Sequence, residues 1–271
     1  MKEELRQKYE ALKTYLKSLN SVAVAYSSGV DSTLLLWAAK EALGDRMCAV
    51  TARSCFFPSA EQAEALQFCK ENGIRHLQVE VDEQQIEGFT ANPPNRCYLC
   101  KKTLFTGMKE LASREGFGAI AEGSNMDDLG DYRPGMQAIR ELEITSPLRE
   151  VGLYKNEIRE ISRELGLPTW NKPSYACLAS RFPYGEEITR EKLLMVDRAE
   201  EYLRGLGFHQ LRVRIHGKLA RIELTPDDMH VLMEEDIRKK VYQTLQEYGF
   251  SYVSLDLLGY RTGSLNEVLK K

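Results

Sequence analysis

The stretch Val22-Ala23-Val24-Ala25-Tyr26-Ser27-Ser28-Gly29-Val30-Asp31-Ser32-Thr33-Leu34 decides the fold. Residues 22–26 are β-branched and small apolar side chains, the pattern of a buried strand. A loop of small residues follows, and Ser32-Thr33-Leu34-Leu35-Leu36 opens a helix that closes at Gly44. A small-residue loop running into a helix N-terminus makes a nest of free backbone N–H groups at the positive end of the helix dipole. That environment suits a phosphate chain. Ser27, Ser28 and Ser32 add hydroxyl donors, and Gly29 either takes a positive φ or lets a phosphate approach closely. No Gly-Lys-Ser/Thr follows, so this is not a Walker loop.

Outward from this unit, strands and helices alternate. A leading helix is expected over 3–19, where Leu5, Tyr9, Leu12, Leu16 and Leu19 keep helical spacing. Further strands are expected over 47–52, 75–81 and 119–122, with helices over 58–72, 101–115 and 154–165. Such alternation predicts an α/β fold, a parallel sheet with helices on both faces, whose ligands gather at the carboxyl ends of the strands. The Ser27 loop, residues 51–54 and Glu122-Gly123-Ser124-Asn125 all fall at such ends. Residues 169–186 carry Pro173, Pro183 and Gly185 without periodicity and read as a functional linker. Residues 187–271 read as a smaller α+β domain, with a helix over 189–206, a strand pair, helices over 226–248 and a last strand over 252–257. The expected division is therefore 1–168, 169–186 and 187–271.

The chain has 271 residues, 43% of them hydrophobic, and a formal net charge of −3. That balance argues against a protein that coats nucleic acid. No apolar run approaches the roughly 20 residues that cross a bilayer, so no membrane partner is expected. Six cysteines without a signal-peptide core point to a reducing cytoplasm, where metal ligation or nucleophilic chemistry is commoner than disulfides.

Cys97-Tyr98-Leu99-Cys100 places two thiols three positions apart at a helix start, a spacing that grips one metal or cluster. Tetrahedral zinc needs two more ligands, and no second Cys-x-x-Cys or His pair exists. Cys177, in Ala-Cys-Leu-Ala-Ser-Arg, lies in a segment that looks functional. Three thiolates on a four-iron cluster leave one iron open to a non-protein ligand. Cys48 and Cys69 read as core residues, and Cys55 lies near the nucleotide end of the sheet. Asp127 and Asp128 suit Mg²⁺, which takes one or two carboxylates plus phosphate oxygens. Arg212 and Arg214 alternate onto one strand face, where paired guanidinium groups bind phosphate or carboxylate. The four histidines show no metal-ligand spacing.

The pattern Ser-x-Gly-x-Asp-Ser resembles the pyrophosphate loop of the PP-loop ATP pyrophosphatases, with Ser28 in place of the usual first glycine. Together with Thr51-Ala52, Pro58, Glu61, residues 122–128, Asp131-Tyr132-Arg133-Pro134-Gly135, residues 173–181, Arg212-Val-Arg214 and Arg221-Ile-Glu223, the chain resembles the LarE family of ATP-dependent sulfur transferases. These build the nickel-pincer nucleotide cofactor. The resemblance implies that ATP adenylates the carboxylates of a pyridinium-3,5-dicarboxylate mononucleotide, and that a sulfur nucleophile displaces AMP to leave thiocarboxylates. It implies ATP and Mg²⁺ at Ser27, Ser28, Gly29, Asp31, Ser32, Asp127 and Asp128, with Asp31, Ser32 and Cys177 catalytic. Ser180, Arg181, Arg212, Arg214, Glu200 and Glu223 are the implied substrate residues. Some members sacrifice the cysteine matching Cys177, whereas others bind a [4Fe-4S] cluster through three cysteines. Cys97, Cys100 and Cys177 place this chain with the cluster kind, supplied with sulfide or another sulfur donor and working as a homo-oligomer.

Other PP-loop chemistries remain open at this point. A tRNA thiolase should show a basic face and salt-sensitive RNA binding. An ammonia-dependent synthetase would need no cysteine. A nucleotide-binding module without catalysis would release no pyrophosphate.

Overall fold

The computed structural model describes residues 1–82, 85–130, 134–173, 177–261, 264, 265 and 267. Asp131, Tyr132 and Arg133 of the family-like segment, and Ser174, Tyr175 and Ala176 ahead of Cys177, lie outside the described residues. The chain divides into two compact units. One comprises Met1–Ser54, Ser59–Ile86 and Asn95–Tyr175, and the other Cys55–Pro58, Glu87–Pro94 and Ala176–Lys271.

In the first unit, β1 (Val22–Ala25), β2 (Met47–Arg53), β3 (His76–Glu80) and β4 (Ala119–Ala121) form a parallel sheet in the order β3-β2-β1-β4. The α/β class expected from the sequence is the one observed. Residues 22–24 and 47–52 are buried without alternation, as strands covered on both faces must be. Helix α1 (Glu3–Ser18) buries Leu5, Tyr9, Leu12 and Leu16, one stripe of a 3.6-residue period, in the same core as α2 (Val30–Leu43). Helix α2 buries Leu34, Leu35, Leu36, Ala38 and Ala39, so most of its circumference is apolar. Helices α3 (Ser59–Glu71), α4 (Arg96–Arg114), α5 (Gly135–Glu141), α6 (Pro147–Glu150) and α7 (Lys155–Glu164) complete the unit.

The strand order positions the site. From β1 the chain steps outward to β2 and β3, then returns to place β4 on the opposite side of β1. The β1/β4 boundary is thus the switch point, and the crevice beyond its carboxyl end is where open α/β sheets bind ligands. Ser27-Ser28-Gly29 leaves β1 there, and Glu122-Gly123-Ser124-Asn125 leaves β4 beside it. A Cβ built on Gly123 would lie 3.2 Å from the Ser32 amide nitrogen and 3.3 Å from the Asp31 Cβ, so only glycine lets the two loops approach this closely.

Two local departures have physical causes. The fourth helix begins at Arg96 rather than near 101, directly after Pro93-Pro94 and the Asn95 cap, so Cys97 lies in its first turn and Cys100 opens the second. The helices α5 and α6 are too short, at 7 and 4 residues, to show a periodic pattern in the sequence. A Cβ on Gly135 would stand 3.3 Å from the Cys97 carbonyl oxygen, so a glycine lets α5, which also buries Ala138 and Ile139, come close to the cysteine turn.

The second unit contains α8 (Arg190–Gly205), β5 (Arg212–His216), β6 (Leu219–Glu223), α9 (Pro226–Leu232), α10 (Glu235–Glu247) and β7 (Tyr252–Leu255). Strands β5 and β6 form a hairpin across Gly217-Lys218, where Gly217 takes the left-handed φ (60°) that a two-residue turn demands, and β7 runs parallel to β6. Helix α8 starts at Thr189, whose hydroxyl accepts from the Lys192 amide, and α9 starts at Thr225-Pro226 in the same way. Among the described residues, no helix is long and apolar enough to cross a membrane.

Candidate active site

The loop after β1 is held by its own hydroxyls. Ser32 Oγ donates to the Gly29 carbonyl at 3.2 Å and accepts from the Ser27 amide at 3.3 Å. Thr33 Oγ donates to the same carbonyl at 2.8 Å. Gly29 is extended (φ −80°, ψ 167°), so the left-handed turn falls one residue earlier, on Ser28 (φ 53°). For a residue with a Cβ this conformation costs about 1–2 kcal/mol. The Ser28 hydroxyl donates to the Glu61 carbonyl at 3.1 Å, while Lys172 Nζ donates to the Ser28 carbonyl at 3.1 Å and to its hydroxyl at 3.2 Å.

Asp31, in the first turn of α2, pairs with Lys155 and accepts from Asn125 Nδ2 at 3.2 Å. The acidic segment is similarly tied. Asp127 accepts from the Lys155 amide at 2.7 Å, and Asp128 accepts from the Asn125 amide at 2.9 Å. Glu122 is buried and accepts from Ser124 at 2.8 Å and from Ser146. The β1 loop, the β4 loop and the start of α7 therefore meet in one polar cluster. Ser27, Ser28, Gly29, Asp31, Ser32, Asp127 and Asp128 all lie in this part of the first unit. No sequence pattern assigns Lys155 or Lys172 to this loop, although Lys172 stands in the 169–186 linker, because both lie far along the chain from the residues that they touch.

The second unit holds a buried ionic lattice. Arg181 and Glu200 are both 0% exposed and meet through two hydrogen bonds of 2.8 Å. Glu200 also accepts from the Val213 amide at 3.0 Å and from Arg204 at 2.9 Å. Arg214 is likewise bidentate to Glu223, at 3.1 and 3.0 Å, and donates to the Ser180 carbonyl. The Arg212 guanidinium lies 5.2 Å from the Tyr260 ring centroid. Burial alone raises the Glu200 carboxyl, but Arg181, Arg212 and Arg204 outweigh it and hold it below the usual carboxylate range. Burial and the neighbouring Arg181 push Arg212 below its ordinary value. All six residues expected to meet substrate thus sit in one network, which draws on β5, β6, α8 and the 3₁₀ turn Leu178–Arg181.

Cys177 immediately precedes that turn. Its carbonyl accepts from the Ser180 amide at 2.9 Å and from Arg181 at 3.3 Å, and the next amide donates to the Phe56 carbonyl. Cys97 is exposed and Cys100 half-buried, neighbours at i and i+3 on α4, so they fit a shared two-point grip. Among the described residues, no group of three or more His, Cys, Asp or Glu is placed to hold a metal ion. Cys48 and Cys69 are buried, and burial pushes both thiols up to about 12, as befits core residues. His76 meets the Thr51 hydroxyl at 2.8 Å, and burial lowers its pKa, which fits a structural role.

No protein-family model matches the chain. An uncharacterized protein of Synechocystis is 46% identical over 267 residues, covering 98% of this chain and all of that protein. The pyridinium-3,5-bisthiocarboxylic acid mononucleotide synthase of Lactiplantibacillus plantarum is 37% identical over 268 residues, covering 98% of this chain and 96% of that enzyme. The chain belongs to the LarE family. A wider PP-loop relationship is seen in the glutamine-hydrolyzing GMP synthase of Pyrobaculum aerophilum, 31% identical over 220 residues, which cover 69% of this chain and 41% of that enzyme. The similarity extends over almost the full length, so it embraces the arginine lattice as well as the loop after β1.

Proposed function

We propose that this protein is an ATP-dependent sulfur transferase that converts pyridinium-3,5-dicarboxylate mononucleotide to its thiocarboxylates for nickel-pincer cofactor synthesis. The observation that carries this reading is the near full-length identity with the Lactiplantibacillus synthase. The phosphate loop at the sheet's switch point supports the ATP half of it. A substrate carboxylate attacks the α-phosphorus of ATP and pyrophosphate leaves. The carboxylate is its own nucleophile, so the step needs alignment and charge neutralisation rather than a general base. Ser27, Ser28, Gly29 and Ser32 line the phosphates, and Asp31, Asp127 and Asp128 take Mg²⁺. A sulfur nucleophile then attacks the acyl carbon and AMP leaves. The charged lattice of Ser180, Arg181, Arg212, Arg214, Glu200 and Glu223 takes the substrate's anionic groups. Residues 187–271 serve substrate binding and homo-oligomer contacts, and the protein works in the cytoplasm. Supplying ATP, Mg²⁺, the dicarboxylate nucleotide and sulfide without oxygen tests the proposal. AMP, pyrophosphate and a thiocarboxylate should form together, and pyrophosphate release indifferent to the nucleotide would sink it.

Gly29→Ala isolates the ATP half. A Cβ at Gly29 would meet Ser27 Oγ at 3.5 Å and Ser32 Oγ at 3.9 Å, ordinary contacts on an extended backbone that alanine adopts freely. The variant should therefore fold with stability within about 0.5 kcal/mol of the parent. Its methyl group stands among the loop hydroxyls where phosphate must approach, and the apparent ATP affinity should fall at least roughly tenfold, about 1.4 kcal/mol. Calorimetric titration with ATP checks this, and unchanged affinity would remove the loop from the site.

Cys97, Cys100 and Cys177 are proposed as ligands of a [4Fe-4S] cluster, which when bound supplies the transferable sulfur. Protein purified without oxygen should carry about four irons per chain, in line with three-thiolate ligation. Cys97→Ser should lose most of that iron without unfolding, because Cys97 is exposed and its side chain supports no core. Absence of iron after reconstitution would leave Cys177 as a sacrificial donor.

A further inference from the structure

Lys172 makes bonds that a surface lysine has no reason to make. Its side chain is 12% exposed and reaches both oxygens of Ser28 and the carboxylates of Glu61 (3.8 Å) and Glu64 on α3. Two of these acceptors belong to one strained residue. Ser28 is buried and left-handed, and its hydroxyl accepts from Lys172 while donating to the Glu61 carbonyl. The backbone oxygen held by Lys172 belongs to the peptide that joins Ser28 to Gly29. Its orientation decides which way the Gly29 amide faces, and hence part of the N–H nest at the start of α2. A glycine would adopt this turn unaided. A serine, with the right-handed and extended regions favoured, needs something to keep it there.

We propose that Lys172 is a positioning residue of the phosphate loop: anchored by Glu61 and Glu64, it holds Ser28 in the left-handed turn and so presents the loop amides to ATP. This rests on the reading of residues 27–32 as the ATP phosphate loop. It accounts for a departure that otherwise looks like a defect, since the lysine supplies externally the conformation that glycine supplies intrinsically.

The test is a double-mutant cycle on the full chain with Lys172→Met, Ser28→Gly and the pair, read first without any ligand. Lys172→Met also leaves Glu61 and Glu64 without this cation, a loss common to both backgrounds that the cycle subtracts. The melting temperature should drop by about 3 °C or more in the Ser28 chain, and by less than half as much in the Ser28→Gly chain. Affinity for MgATP should fall roughly tenfold on Lys172→Met in the Ser28 chain and less than about threefold in the glycine background. At saturating ATP, kcat for pyrophosphate release should stay within about twofold, and Lys172→Arg should restore most of the affinity. Equal losses in the two backgrounds, in melting or in affinity, would overturn the proposal. A chain that binds no ATP in any form, with the melting-temperature coupling intact, would instead overturn the ATP reading of the loop and leave the hold on Ser28 standing.

Discussion

Replacing Glu200 with alanine is expected to destabilise the second unit by about 3–5 kcal/mol, the usual penalty for leaving a buried charge without its partner. Glu200 has no exposed surface, and three groups besides the Arg181 guanidinium lean on it: Arg204, Arg212 and the Val213 amide. Removing it strands Arg181, which is equally buried and whose charge is sustained by that carboxylate against the cost of burial. Urea unfolding of the variant measures the loss. Glu200→Gln keeps the shape and part of the hydrogen bonding, so it should lose less. The paired replacement Arg181→Met with Glu200→Leu should recover much of the stability, because apolar substitution removes both desolvation penalties. A near-native Glu200→Ala would mean that water reaches the pair. The pH dependence has a definite sign. The folded carboxyl is held below its unfolded value of about 4.3, so its contribution is complete above that pH. It fades as the pH falls through the lower folded value, and the stability gap between the parent and Glu200→Gln should narrow only in acid.

The uneven legibility of this site has a physical basis. Strand, loop and helix around residues 22–43 could be read because burial of β1 and α2 imposes local apolar patterns, and because the Ser/Gly loop has little else to be. The same holds for Arg212 and Arg214, which alternation assigns to one face and which are both buried in β5. Lys155 and Lys172 were invisible for the opposite reason. They reach Asp31 and Ser28 across separations of 124 and 144 residues, and although Lys172 stands in the 169–186 linker, no local pattern ties either lysine to its distant partner. Glu200 stands in a helix rich in charged residues, and only the tertiary fold selects it for burial over Glu191 or Glu201. Helix α4 starts earlier than residue patterning suggests because Cys97 and Tyr98 in its first turn are weak helix formers, whereas the prolines before it mark the boundary plainly.

Arg181 also links the lattice to the proposed sulfur chemistry. Arg181 Nη1 holds the Cys177 carbonyl and the Ser180 hydroxyl, while its Nε and Nη2 remain on Glu200. The backbone carrying the thiol is therefore tied, through one guanidinium, to a fully buried carboxylate. A reacting sulfur misplaced by an ångström loses much of the rate gained from orientation, so a rigid mount has direct value. Arg181 contributes to the proposed chemistry even where it does not itself touch substrate.

Cys177→Ser should accordingly divide the reaction into its halves. Adenylation uses the phosphate loop and the substrate's own carboxylate, so pyrophosphate release from ATP and the dicarboxylate nucleotide should continue at a rate within a few-fold of the parent. Thiocarboxylate formation should fall by at least about a thousandfold, since oxygen replaces the sulfur at a position no other cysteine duplicates. Mass spectrometry of the small-molecule products, with pyrophosphate measured in parallel, resolves the halves. Loss of both together would mean that Cys177 is needed for ATP chemistry or for folding. A melting curve decides between those two, because Cys177 is only half-buried and the near-isosteric serine should leave stability nearly unchanged. The Cys97→Ser variant then identifies the sulfur's route. If three thiolates share a cluster, Cys97→Ser must reproduce the product defect of Cys177→Ser, although the two lie 80 residues apart in sequence. If Cys177 gives up its own sulfur, Cys97→Ser stays active for a single turnover, and the spent chain is lighter by one H₂S. Only the first pattern permits repeated turnover by one chain, so counting products per protein molecule measures the same distinction without isolating the cluster.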